Sequence, residues 1–315
     1  MHPQRQASAP TIDGVRHTPA ILRDIIDFKR TEVALAKGVT SVAELESMVA
    51  QEEPPRNFFA ALRRFTAAGT TAVIAEVKRQ SPSAGLIRPE YAGDAFKPEI
   101  IAQNYHAAGA AAISCLTDER FFGGHLSFIR RIKEVIPLPV LRKDFLIDPW
   151  QLWQSRAAGA DAVLLIAECL PEGLLVDMLI LAQQLGLTTL VEVHDPDNLL
   201  RVRPHVGFPH PGYWLLGINN RDLTTMAVDL NHSIRLAELV EDRSILVSES
   251  GITTPTDLAR LRAAGINIVL VGEHLMRQPN PGAALVELCT GSQHLRQPPS
   301  QLPPQEPPNE PPNTP

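Results

Sequence analysis

The feature that most constrains the fold is a series of eight short apolar runs, rich in β-branched residues, that alternate with stretches of helical character. The runs lie near residues 72–78, 111–116, 138–143, 161–166, 188–193, 214–219, 244–249 and 267–272. Near-continuous apolar strands alternating with helices indicate a parallel sheet that is covered by helices. Eight such units in about 200 residues predict an α/β fold, the (β/α)8 TIM barrel. A doubly wound open sheet is the alternative, but no Gly-x-Gly-x-x-Gly motif follows the first run.

Helices are predicted between the runs and before the first of them. The predicted intervening helices cover residues 98–108, 126–135, 149–158, 171–185, 233–239 and 256–264. Four of these helical stretches are followed by a glycine, a residue that suits a left-handed C-cap. These glycines are Gly109, Gly159, Gly186 and Gly265. Before the first strand, the Thr-Pro pair at 18–19 with the apolar stripe at 21–28, the capping box at 41–44 and the apolar stripe from Phe58 predict an N-terminal helical extension.

The two ends of the chain differ from the middle in composition. Residues 1–17 are polar and are expected to form a disordered N-terminus, and residues 18–290 are expected to form the barrel with its N-terminal helices. Residues 291–315 are rich in proline and are expected to form a disordered tail that leans toward polyproline II. An inert tail is favoured over a ligand for a proline-recognition domain, because no flanking Arg or Lys completes a docking motif.

Charge and composition exclude several classes of function. The net charge of −6 argues against binding of nucleic acid by the whole molecule, so any anion must be met by local groups. No apolar run is long enough for a membrane span, and no apolar signal core is visible at the N-terminus. The three cysteines, Cys115, Cys169 and Cys289, have no metal-like spacing and are expected to be buried thiols in a reducing compartment. We therefore expect a cytoplasmic protein.

Polar side chains recur where the predicted strands end. Six of the eight strands run into such residues, which are Glu76 and Lys78, Lys143, Glu192, Asn219 and Arg221, Glu249 and Ser250, and Gly272 and Glu273. In a barrel of this kind the carboxyl ends of the strands meet at one face, where active sites are built. The sequence therefore predicts an enzyme site at this rim.

The residue types at the rim indicate acid–base chemistry on an anion. Lys78 and Lys143 are candidate general acids, with a pKa that partial burial beside another cation can lower toward neutrality, and a Schiff-base role is the alternative. Candidate bases or charge partners are Glu76, Glu192 and Glu249. Arg221 can grip a carboxylate or a phosphate with two hydrogen bonds. His194 is expected to face away from Glu192, and Asp144 and Asp222 are expected to order loops.

A phosphate site is predicted after the last two strands. Ser250 and Gly251 follow the seventh strand and Gly272 follows the eighth, where glycine permits close backbone approach to an anion. Glu273 comes next, and its carboxylate is expected to turn away from the phosphate.

Several segments resemble the indole-3-glycerol phosphate synthase family, in order along the chain from about residue 21 to 288. The segments are IAEVKRQSPS at 74–83, LTDERFFGG at 116–124, LRKDF at 141–145, LVEVH at 190–194, GINNRDL at 217–223 and SESGI at 248–252. The resemblance implies a carboxy-lyase of tryptophan biosynthesis. Such an enzyme closes the ring of 1-(2-carboxyphenylamino)-1-deoxyribulose 5-phosphate and releases CO2 and water.

The resemblance also implies a role for each rim residue. Lys143 would be the general acid, Glu192 the general base of the dehydration, and Lys78 would orient the substrate carboxylate or donate a proton itself. The implied substrate-binding residues are Glu76, Ser81, Phe145, Asn219, Arg221, Glu249, Ser250, Gly251 and Gly272. No cofactor or metal is expected. The partners expected are a phosphorylated small molecule and, transiently, other enzymes of the pathway, with the chain itself a monomer that binds neither nucleic acid nor membrane.

Two other interpretations stay open at this point. A sugar-phosphate isomerase on a similar barrel would bind the same kind of anion, but it does not call for Lys78 and Lys143 together. A non-enzymatic scaffold that acts through its proline-rich tail is the other alternative, and the polar rim argues against it.

Overall fold

The computed structural model describes residues 19–290 of the chain, and the two segments predicted to be disordered, 1–17 and 291–315, lie outside them. Three helices precede the first strand: α1 (Ala20–Val39), α2 (Val42–Val49) and α3 (Phe58–Ala67). The predicted capping box is present, because Ser41 Oγ accepts from the backbone N–H of Glu44 while the Glu44 carboxylate accepts from that of Ser41. Pro19 precedes α1 as expected, and Thr18 falls outside the described residues.

Eight parallel strands close into a barrel in which each strand pairs with its neighbours in chain order, and the last pairs with the first. The strands are β1 (Ala72–Val77), β2 (Ala112–Leu116), β3 (Val140–Lys143), β4 (Ala162–Ile166), β5 (Thr188–Val193), β6 (Trp214–Asn219), β7 (Leu246–Glu249) and β8 (Ile268–Val271). All eight correspond to the predicted runs, so the predicted (β/α)8 TIM barrel is confirmed and the open sheet is excluded. A two-stranded hairpin, Gln80–Ser81 with Gly85–Leu86, lies in the loop after β1.

Helices cover the outside of the barrel between the strands. They are α4 (Pro98–Ala107), α5 (Glu119–Phe122), α6 (Ser127–Lys133), α7 (Pro149–Ala157), α8 (Glu172–Gln184), α9 (Pro196–Val202), α10 (Asn231–Ala237), α11 (Pro255–Ala263), α12 (Glu273–Met276) and α13 (Pro281–Thr290). The six predicted intervening helices are confirmed within three residues at each end. The sequence analysis did not predict α5, α9, α12 or α13, although Asp195 caps α9 and Pro196 occupies its first turn.

The glycines at the helix ends have the predicted backbone conformation. Gly109, Gly159, Gly186 and Gly265 have φ of 85°, 89°, 71° and 83°. A side chain would be strained in this left-handed region, so glycine ends each helix and turns the chain toward the next strand.

The barrel core is apolar at its centre and charged at one end. All residues of β1 are buried, and Glu76 near its carboxyl end is only 3% exposed. The burial of a carboxylate is costly unless a cation or a donor lies beside it. The carboxyl end of the barrel therefore needs compensating charges. The three cysteines are buried, as predicted.

Of the helices between residues 19 and 290, none combines the length and the apolar character that crossing a bilayer requires.

Candidate active site

A cavity of about 480 Å³ opens at the carboxyl ends of the strands. The twelve residues predicted for the site all line it, from Glu76, Lys78 and Ser81 in and after β1 to Gly272 after β8. The others are Lys143, Phe145, Glu192, Asn219, Arg221, Glu249, Ser250 and Gly251. The structure thus brings together side chains that are almost 200 positions apart in the sequence, because parallel strands end at the same face.

Lys143, the last residue of β3, lies at the centre of the charged groups. Its Nζ is 2.9 Å from Glu192 Oε2 and 3.0 Å from Glu249 Oε2. Burial by itself would lower the pKa of Lys143, but the two carboxylates outweigh it and hold the pKa above its usual value. The expectation of a lysine pKa lowered toward neutrality is therefore wrong for Lys143, whose nearest neighbours are carboxyl groups and not cations.

The two carboxylates beside Lys143 are held in opposite protonation states. Burial alone would raise the pKa of Glu192, but the charges of Lys143 and His194 outweigh it and lower the pKa to about 2. For Glu249, burial and the nearby charge of Glu192 together raise the pKa to about 8. Near neutral pH, Glu192 is therefore ionised and Glu249 is largely protonated. Lys143 therefore contacts two carboxyl groups, and only that of Glu192 carries a full negative charge.

Glu192 is fixed through its other oxygen. Asn219 Nδ2 donates to Glu192 Oε1 over 3.2 Å, and His194 Nε2 lies 3.2 Å from the same oxygen. The Asn219 side chain is itself oriented, since its Oδ1 accepts from Ser250 Oγ at 2.9 Å and from the Arg221 backbone N–H at 3.1 Å. The ends of β5, β6 and β7 are thereby joined around one carboxylate.

Glu76 and Lys78 share a face of β1, as predicted from their spacing, and form an ion pair. Lys78 Nζ is 2.7 Å from Glu76 Oε1. Gly272 lies against the same oxygen, where a Cβ atom would overlap the Glu76 carboxylate. Gly272 is therefore required at this position to make room for Glu76, in addition to any role in binding an anion.

The corner predicted to bind phosphate contains two successive left-handed residues. Ser250 has φ of 68° and Gly251 has φ of 77°. The Ser250 carbonyl accepts from Asn220 Nδ2 at 3.0 Å, which helps to hold this uncommon conformation. A Cβ atom at Gly251 would also overlap the Val228 side chain. The turn therefore depends on glycine for both its backbone conformation and its packing.

Glu273 lines the cavity and its carboxylate is paired with two arginines. Arg277 donates to Glu273 Oε1 from Nε at 3.0 Å and from Nη2 at 2.7 Å, and Arg221 Nη2 lies 3.4 Å from Oε2. Burial would raise the pKa of Glu273, but Arg277 and the neighbouring cations outweigh it and lower the pKa. The carboxylate that was expected to turn away from the phosphate thus belongs to a cavity-lining residue and has its charge paired with Arg277 and Arg221.

Aromatic and apolar side chains form the remaining wall. The rings of Phe145 and Phe122 lie 6.0 Å apart between centroids. The predicted apolar stripe of α1 also reaches the cavity through Ile21, Leu22 and Ile25, which the sequence analysis did not include in the site. A flat aromatic group entering the cavity would contact this wall.

The expectation for His194 is wrong. His194 lies two positions after Glu192, so the alternation of an extended chain directs both side chains to the same side. His194 lines the cavity, and its Nδ1 lies 3.3 Å from Glu168 Oε2. Sequence reasoning missed Glu168 as well, although it follows β4 by only two residues, as the other rim residues follow their strands.

Asp144 and Asp222 order loops, as expected. Asp144 accepts from Thr117 Oγ1 at 2.6 Å and from the Phe145 backbone N–H at 2.8 Å. Asp222 accepts from the backbone N–H of Thr224 at 2.7 Å. Neither carboxylate is needed to explain the chemistry of the cavity.

Comparisons with known proteins identify relatives of this chain. The chain is 47% identical over 262 residues to the indole-3-glycerol phosphate synthase of Rhodopirellula baltica, which covers 82% of this chain and 95% of that protein. It is 43% identical over 265 residues to that of Rhodospirillum rubrum, covering 84% and 97%. The structure of tryptophan synthase subunit alpha from Legionella pneumophila str. Paris matches with a TM-score of 0.53 at 17% identity, over 76% of this chain and 99% of that chain, which shows a shared fold. A family model described as Indole-3-glycerol phosphate synthase matches residues 22–288. The chain therefore belongs to the indole-3-glycerol phosphate synthase family.

Proposed function

We propose that Lys143, Glu192 and Lys78 carry out the indole-3-glycerol phosphate synthase reaction of tryptophan biosynthesis in this cavity. The observation that carries the proposal is the Lys143 ammonium, held 2.9 Å and 3.0 Å from two buried carboxyl groups at the cavity wall. The substrate is 1-(2-carboxyphenylamino)-1-deoxyribulose 5-phosphate, and the products are indole-3-glycerol phosphate, CO2 and water.

Local cations suit a substrate that carries a carboxylate and a phosphate. Lys78, Lys143 and Arg221 line the cavity even though the whole chain has a net charge of −6. Lys78 directly follows β1 and would orient the substrate carboxylate. Arg221 and Ser81 would bind near the same group, with the anthranilate ring against Phe145. The field of these cations in a partly desolvated cavity is stronger than it would be in water.

In the first step, the ring carbon that bears the carboxylate attacks the sugar carbonyl carbon. Lys143 would donate a hydrogen bond and then a proton to the carbonyl oxygen, which becomes a hydroxyl group. The raised pKa of Lys143 ensures that its proton is present when the substrate binds. As negative charge develops on the carbonyl oxygen, the ammonium stabilises it electrostatically. Loss of CO2 then returns the bonding electrons to the ring, so this step needs no further electron acceptor.

Dehydration completes the reaction and requires a base. Glu192 is ionised near neutral pH because its pKa is lowered to about 2, so it can accept the proton that is lost as the indole forms. Because ring closure has consumed one proton of Lys143, solvent first reprotonates Lys143, and the hydroxyl group then leaves as water after protonation by Lys143. The short distance between the two side chains lets the proton return to the lysine for the next turnover.

The other rim residues would hold the sugar and the phosphate. Glu76, Asn219 and Glu249 offer hydrogen-bonding groups to the sugar hydroxyls from β1, β6 and β7. Backbone N–H groups in the turn at Ser250 and Gly251, with that at Gly272, would receive the phosphate at the usual position for this fold. This assignment leaves Glu192 and Lys143 facing the reacting carbon atoms.

The replacement Lys143→Ala tests the proposal. We expect turnover, measured through the fluorescence of the indole product, to fall by about 10²–10⁴-fold, which is the range for loss of a general acid. The matched control is Lys37→Ala, because Lys37 pairs with Asp148 outside the cavity. Full activity in a folded Lys143→Ala protein would overturn the assignment.

We further infer that the chain acts in the cytoplasm as a monomer, with only transient contact to other enzymes of the pathway. The closed barrel supports a monomer, since it leaves no free barrel edge among residues 19–290 for pairing with a second chain. Light scattering on the purified full chain would test this, and a stable dimer would contradict it.

A further inference from the structure

We propose that His194 and Glu168 form a buried positioning pair that fixes the general base Glu192 so that one of its oxygens faces the substrate. The inference rests on the role proposed above for Glu192 and adds two residues to the site. Neither His194 nor Glu168 needs to touch the substrate for this role.

The pair is built around the His194 imidazole. Its Nδ1 lies 3.3 Å from Glu168 Oε2, and its Nε2 lies 3.2 Å from Glu192 Oε1. Glu168 also accepts the backbone N–H of His194 through Oε1 at 2.8 Å, so both the ring and the main chain are held by one carboxylate. The Nε2 contact is an ion pair and not a well-aligned hydrogen bond.

As a consequence, the two oxygens of Glu192 have different partners. Oε1 is held by His194 and Asn219, both at 3.2 Å, and Oε2 is 2.9 Å from Lys143. A partial rotation of the carboxylate would break both contacts to Oε1, whereas a rotation by 180° only exchanges two equivalent oxygens and restores the same contacts. The geometry therefore assigns Oε2 as the atom that accepts the proton.

Hydrogen bonding of a buried histidine does not by itself account for this arrangement. The two ring nitrogens contact carboxylates on two different elements, Glu192 at the end of β5 and Glu168 in the turn after β4. A base that is oriented by a second group, which is itself oriented by a third, is the usual arrangement of a catalytic triad. His232 also supports the pair, since its Nε2 lies 2.9 Å from the His194 carbonyl oxygen.

The charge on His194 helps to keep Glu192 ionised. Burial would lower the pKa of His194, but Glu168 and Glu192 outweigh it and raise the pKa to about 9, so that His194 is a cation near neutral pH. The ionisable groups that face or influence the ring are Glu168 after β4, Glu192 on β5, Glu249 on β7 and His232 on α10. Removal of this cation should raise the pKa of Glu192 toward its ordinary value.

Two replacements of His194 separate positioning from space filling. Gln places an amide nitrogen near the position of Nε2 and can still reach Glu192, whereas Asn places it near Nδ1 and cannot. We expect kcat to fall by about tenfold to a hundredfold in His194→Asn, less in His194→Gln, and KM to change little in either. The acid limb of the pH profile of kcat should move to higher pH in both, because the pKa of Glu192 rises. A folded His194→Asn protein with the wild-type kcat and pH profile would overturn the proposal.

Two further variants distinguish a failure of the proposed role of Glu192 from a failure of the positioning pair. His205→Gln is the matched control, because His205 forms a 2.8 Å pair with Glu172 outside the cavity, and it should behave as wild type. Glu192→Gln should lose activity. If it does not, the proposed role of Glu192 fails. If Glu192→Gln is inactive and His194→Asn is normal, only the positioning pair is refuted.

Magnetic resonance of the imidazole provides a test that does not depend on folding of the His194 variants. The ring of His194 should titrate with a raised midpoint in the wild-type protein, and this midpoint should fall in Glu192→Gln and in Glu168→Gln. An unchanged midpoint in both variants would show that the ring is not coupled to either carboxylate and would overturn the proposal.

Discussion

Two buried ionic clusters lie in this barrel, and they differ in how their charges are balanced. The first, the catalytic cluster, consists of Lys143 with Glu192 and Glu249. The second, the helix cluster, joins Lys29 of α1 to Asp118 and Asp144 in the loops after β2 and β3, at 3.0 Å each. Both place one lysine between two buried acidic side chains, and Lys29 also pairs with the partly exposed Glu32 at 3.1 Å.

The helix cluster has additional donors for its carboxylates. Arg142 Nη2 is 3.0 Å from Asp144 Oδ2, and Asp118 Oδ1 accepts from the backbone N–H of Phe121 at 2.7 Å. Burial would raise the pKa of Asp144, but Arg142 and Lys29 outweigh it and hold the pKa well below its usual range. In the catalytic cluster the pKa of Glu249 is instead raised to about 8.

The central lysines of the two clusters also differ in their exposure to solvent. The Lys29 side chain is fully buried, whereas that of Lys143 is 16% exposed and faces the cavity. The helix cluster therefore contributes to folding, since its charges are satisfied within the protein. The catalytic cluster has one lysine for two carboxyl groups, and the pKa of one of these groups is raised.

The largest effect on stability is expected from Lys29→Met. This change leaves Asp118 and Asp144 buried with one cation fewer, and removal of one partner from a buried ionic cluster typically costs about 3–5 kcal/mol. Chemical denaturation at pH 7 would measure it. Lys37→Met on the same helix is the control, because its ion pair with Asp148 is partly exposed and is expected to contribute at most about 1 kcal/mol. Equal stability of the two variants would contradict the distinction between the clusters.

The replacement Glu249→Gln is expected to change how the free energy of unfolding depends on pH. The folded-state pKa of Glu249 is about 8 and the ordinary value is 4.5, so ionisation of Glu249 opposes folding. Its contribution to the free energy of unfolding is therefore most favourable below pH 4.5 and declines as the pH rises through 8. Gln does not ionise, so the variant should gain stability relative to wild type over this interval, by on the order of several kcal/mol.

Thermal unfolding measured from pH 5 to pH 9 would test this expectation. The Glu249→Gln protein should also turn over more slowly, because stability gained at a strained site is often lost in function. Parallel curves of melting temperature against pH for the variant and wild type would show that Glu249 is ionised normally, and that the two clusters do not differ as described.

The fold and most of the site could be predicted from the sequence because both depend on local patterns. Apolar β-branched runs define the strands, and residues at their carboxyl ends must meet at one face, whichever helices lie between. Lys143 and Glu249 could therefore be placed together although 106 positions separate them. The orientation of His194 was also available from the sequence, since residues two positions apart on an extended chain share a side.

Other properties could not be predicted, because they depend on distances between elements. The direction of the Lys143 pKa shift depends on two carboxylates within about 3 Å, and neither is its neighbour in sequence. The apolar stripe of α1 was recognisable, but nothing in its pattern shows that Ile21 and Ile25 line the cavity. Lys29 looks like any other surface lysine in the sequence, and only the packing of α1 on the β2 and β3 loops buries it.

The smallest effect is expected from deletion of residues 297–315. All side chains of the two clusters and of the cavity belong to residues 19–290, and the proposed chemistry uses no group from the proline-rich tail. Turnover and melting temperature of the truncated chain should therefore equal those of the full chain, measured side by side by the indole fluorescence assay and by thermal unfolding. A large loss of turnover at unchanged melting temperature would mean that the tail acts on the catalytic cluster and not on the helix cluster. That result would revive the interpretation in which the tail engages a partner.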